Sequence, residues 1–215
     1  MKRAIIFDMD GTLFQTNMIL ELSLNDAFDH LRNKKMWFSE TPIKEYRKIM
    51  GVPLPKVWET LLPDFSSEVR NEMDSVFLES LIINIRAGKG MLYPNTIETL
   101  VYLKKKKYKI FIASNGLVNY LNTIVDTYKL NSIIDETFSI EQIESYNKSD
   151  LVNHIKEKYE ISEGAVVGDR ISDIKAASDN NLISIGCKFD FSNEEELAHA
   201  EIVISDLIEL KNIFK

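Results

Sequence analysis

The sequence predicts a doubly wound α/β fold: a parallel sheet covered by helices on both faces, with an all-helical segment inserted after the first strand. Three observations carry this. Short, almost wholly apolar runs recur along the chain, stretches with apolar residues at helical spacing separate them, and residues 15 to 86 break the alternation with helical periodicity alone. Runs without polar alternation belong to strands buried on both faces, as in a parallel sheet. Strands that alternate with helices build such a sheet.

In chain order, the first strand is "RAIIF" (3–7). The insert follows, with Leu20, Leu24, Ala27, Phe28 and Leu31 spaced along one helix and Val69, Met73, Val76, Phe77 and Leu81 along another. Between them "GVPLP" (51–55) carries two prolines, which disfavour a continuous helix. "RAGKG" (86–90) reads as a flexible return. Residues 1–14 and 87–215 are therefore assigned to one α/β domain and 15–86 to a helical one. In the α/β part Ile97, Leu100 and Val101 share a helix face before "YKIFIAS" (108–114), and "KKKK" (104–107) reads as a solvated helix C-terminus. Val118, Leu121, Ile124, Val125 and Tyr128 mark the next helix, "ETFS" (136–139) a weaker strand, and Leu151, Ile155 and Tyr159 a helix beginning near Asp150. "GAVVG" (164–168), "LISIG" (182–186) and "EIVIS" (201–205) complete the strands, and "SNEE" (192–195) reads as a capping box with Ser192 as N-cap.

Composition narrows the function classes. The chain has 215 residues, 45% of them hydrophobic and 27% charged, enough to bury a substantial core. A formal net charge of −7 argues against nucleic acid and anionic membranes as partners, since both select basic surfaces. One cysteine, Cys187, permits no internal disulfide, no apolar run reaches a membrane span, and the N-terminal run is short for a signal peptide. The expectation is a cytoplasmic protein, monomeric or weakly dimeric. His30, His154 and His199 lack metal-ligand spacing.

Parallel sheets gather function beyond the C-terminal ends of their strands. Four such ends carry unusual polar residues: Asp8 and Asp10 after "AIIF", Ser114 with Asn115 after "IFIA", Lys148 before the helix near Asp150, and "GDRISD" with Asp169 and Asp173. Each alone has an ordinary reading. Asp10–Gly11 makes a turn, Ser114 or Asp169 caps a helix, and Lys148 is a surface lysine. Several carboxylates at one sheet edge repel, however, unless a cation holds them. Hard oxygen ligands fit Mg²⁺ shared with a substrate phosphate.

In order and approximate spacing, "DMDGTLF", "SN", Lys148 and "GDRISD" resemble the haloacid dehalogenase-like hydrolase superfamily, in its phosphoglycolate phosphatase-like branch. The resemblance covers the α/β part, and 15–86 stands where that family carries a helical cap. It implies a Rossmann-like core and a Mg²⁺-dependent phosphatase. In that family's scheme Asp8 is the nucleophile that becomes an aspartyl phosphate, and Asp10 is the general acid, then base. Ser114 and Asn115 bind the phosphoryl group, Lys148 neutralises its charge, and Asp8, the Asp10 carbonyl, Asp169 and Asp173 hold the metal. An aspartate at position 10 sets the chain apart from metal-free dehalogenases and from ion pumps, which lack it. The chain departs from the family with "FQTN" after "DGTL", Asn95 and Asn181 at positions commonly glycine, and Ser149 where proline is frequent.

The expected substrate is a small phosphorylated metabolite: phosphoglycolate, a sugar phosphate or a nucleotide. Acidic and basic residues nearly balance in 15–86, so no strong basic patch demands a polyanion. Trp37, Tyr46 and Trp58 read as cap packing, with stacking on a base or sugar as the alternative, and Lys44, Arg47 and Lys56 are candidates for meeting a substrate carboxylate. A phosphosugar mutase of the same superfamily and a non-catalytic binding module are the alternative functions.

Overall fold

A computed structural model describes residues 2–49, 54–190 and 192–215. The chain forms two compact units, one of Met1–Thr16 with Met91–Lys215 and the other of Asn17–Gly90.

The first unit begins with β1 (Lys2–Phe7). The helices of the second unit come next in sequence: α1 (Asn17–Asn33), α2 (Ile43–Lys48), α3 (Leu54–Leu61) and α4 (Ser67–Arg86). The first unit resumes with α5 (Thr96–Lys105), β2 (Lys109–Ser114), α6 (Val118–Thr127), β3 (Glu136–Ser139), α7 (Lys148–Tyr159) and β4 (Ile161–Gly168). It ends with α8 (Ile171–Asp179), β5 (Ile183–Cys187), α9 (Glu194–Leu197), β6 (Ile202–Ile204) and α10 (Leu210–Ile213).

The six strands lie in the order β3-β2-β1-β4-β5-β6, and every pairing is parallel. The chain builds outward from β1 through β2 to β3, then crosses back to lay β4 on the other side of β1. The order reverses at β1/β4, and a crevice opens at such a switch point beyond the strand ends. The strands are apolar because both faces are covered: Ala4, Ile5, Ile6 and Phe7 are all buried. On one face Ile6, Phe111, Phe138, Leu151, Ile155 and Val166 belong to one core cluster. Each such side chain, fully buried, contributes on the order of 1.5–3 kcal/mol.

Backbone details match residue chemistry. Asn181 ends α8 in the left-handed region (φ 54°) and Asn95 precedes α5 there (φ 61°). Asparagine tolerates that conformation better than other non-glycine residues, so it stands in for glycine at both positions. The lysine run closes α5, and Lys104 Nζ reaches Asp135 Oδ2 at 2.7 Å rather than standing free in solvent. Two expected helix starts move. Lys148 is itself the first residue of α7, capped by the Asn147 side chain, and α9 is capped by Asn193 rather than Ser192, its side chain accepting from Glu195 N. At α9 the Asn193 carbonyl takes the amide that Ser192 was expected to cap, and at α7 the Asn147 carbonyl accepts from Ser149 N. β4 begins at Ile161, three residues before the apolar run that marked it, because Ile161 pairs with Lys2 at the foot of β1.

Every element among the described residues of the second unit is a helix, and the break expected at 51–55 falls largely on residues outside those described. Its core joins α1 and α4 through Leu24, Phe28, Leu31, Met73, Phe77 and Ile85, all buried. Trp58 packs edge-on against Phe77 at 5.7 Å and near Phe28 at 6.4 Å, with its indole N–H donated to Asp74 Oδ1 at 2.8 Å. Tyr46 is buried against Phe77, and Trp37 meets Phe28 at 4.9 Å. These aromatics are engaged in the unit's own packing. Arg47 pairs with Glu21 and Lys56 with Glu59. No helix among the described residues is long and apolar enough to cross a membrane.

Candidate active site

β1 delivers its load at the switch point. Asp8 N donates to Val167 O at 2.8 Å, carrying the β1/β4 ladder one residue past the strand, and Asp8 is buried there. The chain then turns back tightly, with Leu13 N and Phe14 N both donating to Met9 O. Gly11 makes the turn at φ +75°, and a Cβ there would lie 2.5 Å from Asp169 Oδ2. Only glycine satisfies both the backbone angle and the approach of the carboxylate. Asp10 is partly buried, and its Oδ1 accepts from Thr16 Oγ1 and from Tyr120 Oη, each at 2.5 Å.

β2 ends on Ser114, whose Oγ accepts from Gly116 N at 3.0 Å, and Ser139 Oγ at the end of β3 donates to Gly116 O at 2.7 Å. This pins the loop that follows β2. Asn115 at its tip is exposed.

α7 opens on Lys148. An ammonium at a helix N-terminus opposes the helix dipole, so it needs compensation. Its Nζ lies 2.7 Å from Asp8 Oδ1 and 2.5 Å from Asp173 Oδ1, with the side chain almost wholly buried. Asp173 comes from the first turn of α8, where its other oxygen accepts from Arg170 N at 3.0 Å. It reaches under the end of β4 because Gly168 has no side chain: a Cβ at 168 would fall 2.1 Å from Asp173 Cγ. Asp169, between them, is buried, and its Oδ1 takes a 3.4 Å contact from Thr12 Oγ1.

Asp8, Asp169 and Asp173 thus offer ligand oxygens all within 4.8 Å of one another. Three carboxylates and one ammonium leave a buried excess of negative charge, which is costly without a further cation. The titration directions show it. Burial pushes Asp8 up to about 7, with Lys148 opposing and Asp173 adding to the rise. Burial, then the neighbouring Asp8 and Asp173, holds Asp169 well above the carboxylate range. Burial also raises Asp10, against the two hydroxyls that favour its charged form. Burial alone would lower the Lys148 ammonium, but Asp173 and Asp8 overrule it and hold it above the ordinary lysine value. The donor set is all oxygen, and a small hard divalent cation such as Mg²⁺ fits it.

The structure brings Asp8, Lys148, Asp169 and Asp173 into direct mutual reach, with Asp10 on the turn next to them and Ser114 at the end of the adjacent strand. Three contributors escaped the sequence reading. Tyr120 and Thr16 hold Asp10. Glu196 pairs with Arg170 and accepts from Ile171 N at 2.8 Å, fixing the loop that carries Asp169. A glutamate within "NEEE" gives no local sign of such a task. Cys187 ends β5, buried, with its thiol pushed up by burial and so protonated.

Residues 5–187 match the family model of the haloacid dehalogenase-like hydrolases. The chain is 23% identical over 209 residues to a probable phosphatase IndB of Dickeya dadantii, covering 94% of this chain and 87% of that protein. It is 22% identical to a phosphoglycolate phosphatase of Vibrio cholerae, covering 93% and 90%. Among solved structures, a predicted phosphoglycolate phosphatase from Haemophilus somnus superposes with a TM-score of 0.86 at 18% identity, covering 100% of this chain and 98% of that one. CbbY from Rhodobacter sphaeroides, in a mutant complex with xylulose-1,5-bisphosphate, gives 0.82 at 18%, covering 98% and 96%.

Proposed function

The chain belongs to the haloacid dehalogenase-like hydrolases and is a phosphatase of that family, and on that premise we propose that it hydrolyses a small phosphomonoester through an aspartyl phosphate on Asp8. The observation that carries the reading is the buried convergence of Asp8, Asp169 and Asp173 on Lys148 at the sheet's switch point.

Each residue has a task. Lys148 holds Asp8 Oδ1, fixing the carboxylate so that its other oxygen attacks phosphorus. The bond to the leaving oxygen breaks as the Asp8 oxygen–phosphorus bond forms, which splits one difficult displacement into two easier ones. Asp10 gives its proton to the leaving alkoxide, then takes one from the water that attacks the aspartyl phosphate. Ser114 and the backbone amides of its loop grip the phosphoryl oxygens, with Asn115 at the loop tip. Asp8, Asp169 and the Asp10 main-chain carbonyl would hold Mg²⁺, with Asp173, whose oxygens are engaged by Lys148 and Arg170 N, acting through water. Bound there, Mg²⁺ supplies charge neutralisation to the transferring group. Selection among substrates falls to residues 15–86, the insert that stands in the sequence where the family carries its cap. The substrate class is phosphoglycolate or a similarly small sugar or nucleotide phosphate, met in the cytoplasm.

A phosphate-release screen over such metabolites, with and without EDTA, tests the reading. Asp8→Asn is expected to bring turnover near background in a folded protein, and EDTA to abolish activity that Mg²⁺ restores. Sustained turnover by Asp8→Asn removes the covalent mechanism.

A further inference from the structure

We propose that Tyr120 is a positioning residue for proton transfer, the phenol that dictates which oxygen of Asp10 carries the proton; this rests on the acid–base role proposed for Asp10. The observation is an asymmetry. Both hydroxyls that reach Asp10 fall on the same oxygen: Thr16 Oγ1 and Tyr120 Oη each lie 2.5 Å from Oδ1. A carboxyl oxygen that accepts two O–H bonds is the unprotonated one, because a protonated oxygen would turn its own hydrogen toward one of the donors. A proton held by Asp10 therefore sits on Oδ2, and the carboxyl plane is fixed with that oxygen turned away from its anchors.

The two anchors differ. Thr16 also lies 3.4 Å from Phe14 O, so its hydroxyl has a second acceptor within reach. Tyr120 stands in the first turn of α6 with its ring buried, packed on the loop that presents Ser114: a Cβ at Gly116 would come 3.1 Å from Tyr120 Cδ1. A phenylalanine would fill the same space. What tyrosine adds is one polar atom, delivered to an oxygen 110 positions away in the chain. The ring thereby ties the phosphate-gripping loop after β2 to the proton carrier after β1. In the first half-reaction the Oδ2 proton passes to the leaving alkoxide as the phosphorus–oxygen bond breaks, leaving Asp10 charged. In the second, Oδ2 takes a proton from water as the water oxygen bonds to phosphorus and Asp8 departs as a carboxylate. Oδ1 stays anchored through both.

The test compares wild type, Tyr120→Phe, Asp10→Asn and the double variant, by kcat/KM on an alkyl phosphate and on p-nitrophenyl phosphate. The nitrophenolate leaves without protonation, so only the alkyl ester depends on a well-placed proton in the first step. Tyr120→Phe is expected to lose about tenfold on the alkyl ester and about threefold or less on the nitrophenyl ester, with KM within about twofold. In the Asp10→Asn background it should add less than about twofold on either, since groups that act through one another are not additive. Equal losses on both esters, no loss in Tyr120→Phe, or the same further loss in the Asp10→Asn background overturns the inference. If Tyr120→Phe fails to fold, Thr16→Val, which deletes the other hydroxyl on Oδ1, is measured in its place. The same ester dependence then supports the oxygen assignment, and a uniform loss overturns it. Wild type that releases phosphate from neither ester removes the reading of the site itself and this inference with it; activity in wild type with any of the adverse outcomes removes this inference alone.

Discussion

Burial pushes the Asp8 carboxyl up to about 7 and Asp169 well above its ordinary range, while in the unfolded chain both sit near 4. The folded state therefore binds protons that the unfolded state has released, and stability without metal is present below about pH 4 and falls as pH rises toward about 7. A divalent cation in the same oxygens competes with those protons. Its contribution should accordingly grow with pH, by mass action on the folded state. In thermal melts, millimolar Mg²⁺ is expected to raise Tm by several degrees at about pH 8 and by little at about pH 5. The increment should vanish in Asp169→Ala. An equal Mg²⁺ shift at both pH values would remove this account of the cluster.

The same chemistry imposes terms on the elements. The end of β4 and the first turn of α8 lie so close that Asp173 occupies the space of a Gly168 side chain. Asp173 in turn holds Lys148, the residue that opens α7 against its dipole. One strand end and two helix starts are thus fastened by a single carboxylate. Gly168→Ala should force Asp173 aside and cost on the order of 2–3 kcal/mol of folding stability, read as a lower urea midpoint with an unchanged m-value. Because Lys148 would lose one of its two partners, turnover should fall beyond what the unfolded fraction explains. A variant with wild-type midpoint and turnover would show that the strand end gives way without consequence.

At the scale of the molecule, the helical unit enters and leaves the α/β unit at adjacent points. Gln15 N donates to Met91 O at 2.8 Å, and the Gln15 side chain reaches Leu92 O at 2.8 Å. Phe14 also bridges to Leu92. The ends of the α/β unit are therefore already joined when the insert is cut out, and its sheet and acidic cluster lie wholly within it. Joining Thr16 to Met91 through a short glycine linker should give a folded protein that hydrolyses a generic aryl phosphate. The ranking among metabolite phosphates should collapse toward uniformity, since the proposed selector is gone. An unchanged ranking, measured as relative kcat/KM, would place selection within the α/β unit.

The identity of the strands and the position of the first two carboxylates were legible because both are local. An apolar run long enough to be covered on both faces reads as a strand whatever it pairs with, and "DMDGTL" packs two carboxylates and a glycine into four positions. Asparagine at 181 announced left-handed backbone in the same way, through its own conformational preference. The start of α9 was less legible, because Asn193 competes for the cap with Ser192, a neighbour of similar chemistry. What remained was decided by register and by side chains meeting across long separations. Lys148 meets Asp8 across 140 positions, Thr12 meets Asp169 across 157, and Tyr120 meets Asp10 across 110. No periodicity or turn preference encodes such pairs. They exist because β3, β2, β1 and β4 lie side by side in a parallel sheet, which carries the residues that follow all four strands to one edge. Residue types and their local spacing name the groups available for chemistry; the fold buries them beside one another's charge and fixes which carboxylate oxygens are held, because those contacts join distant parts of the chain.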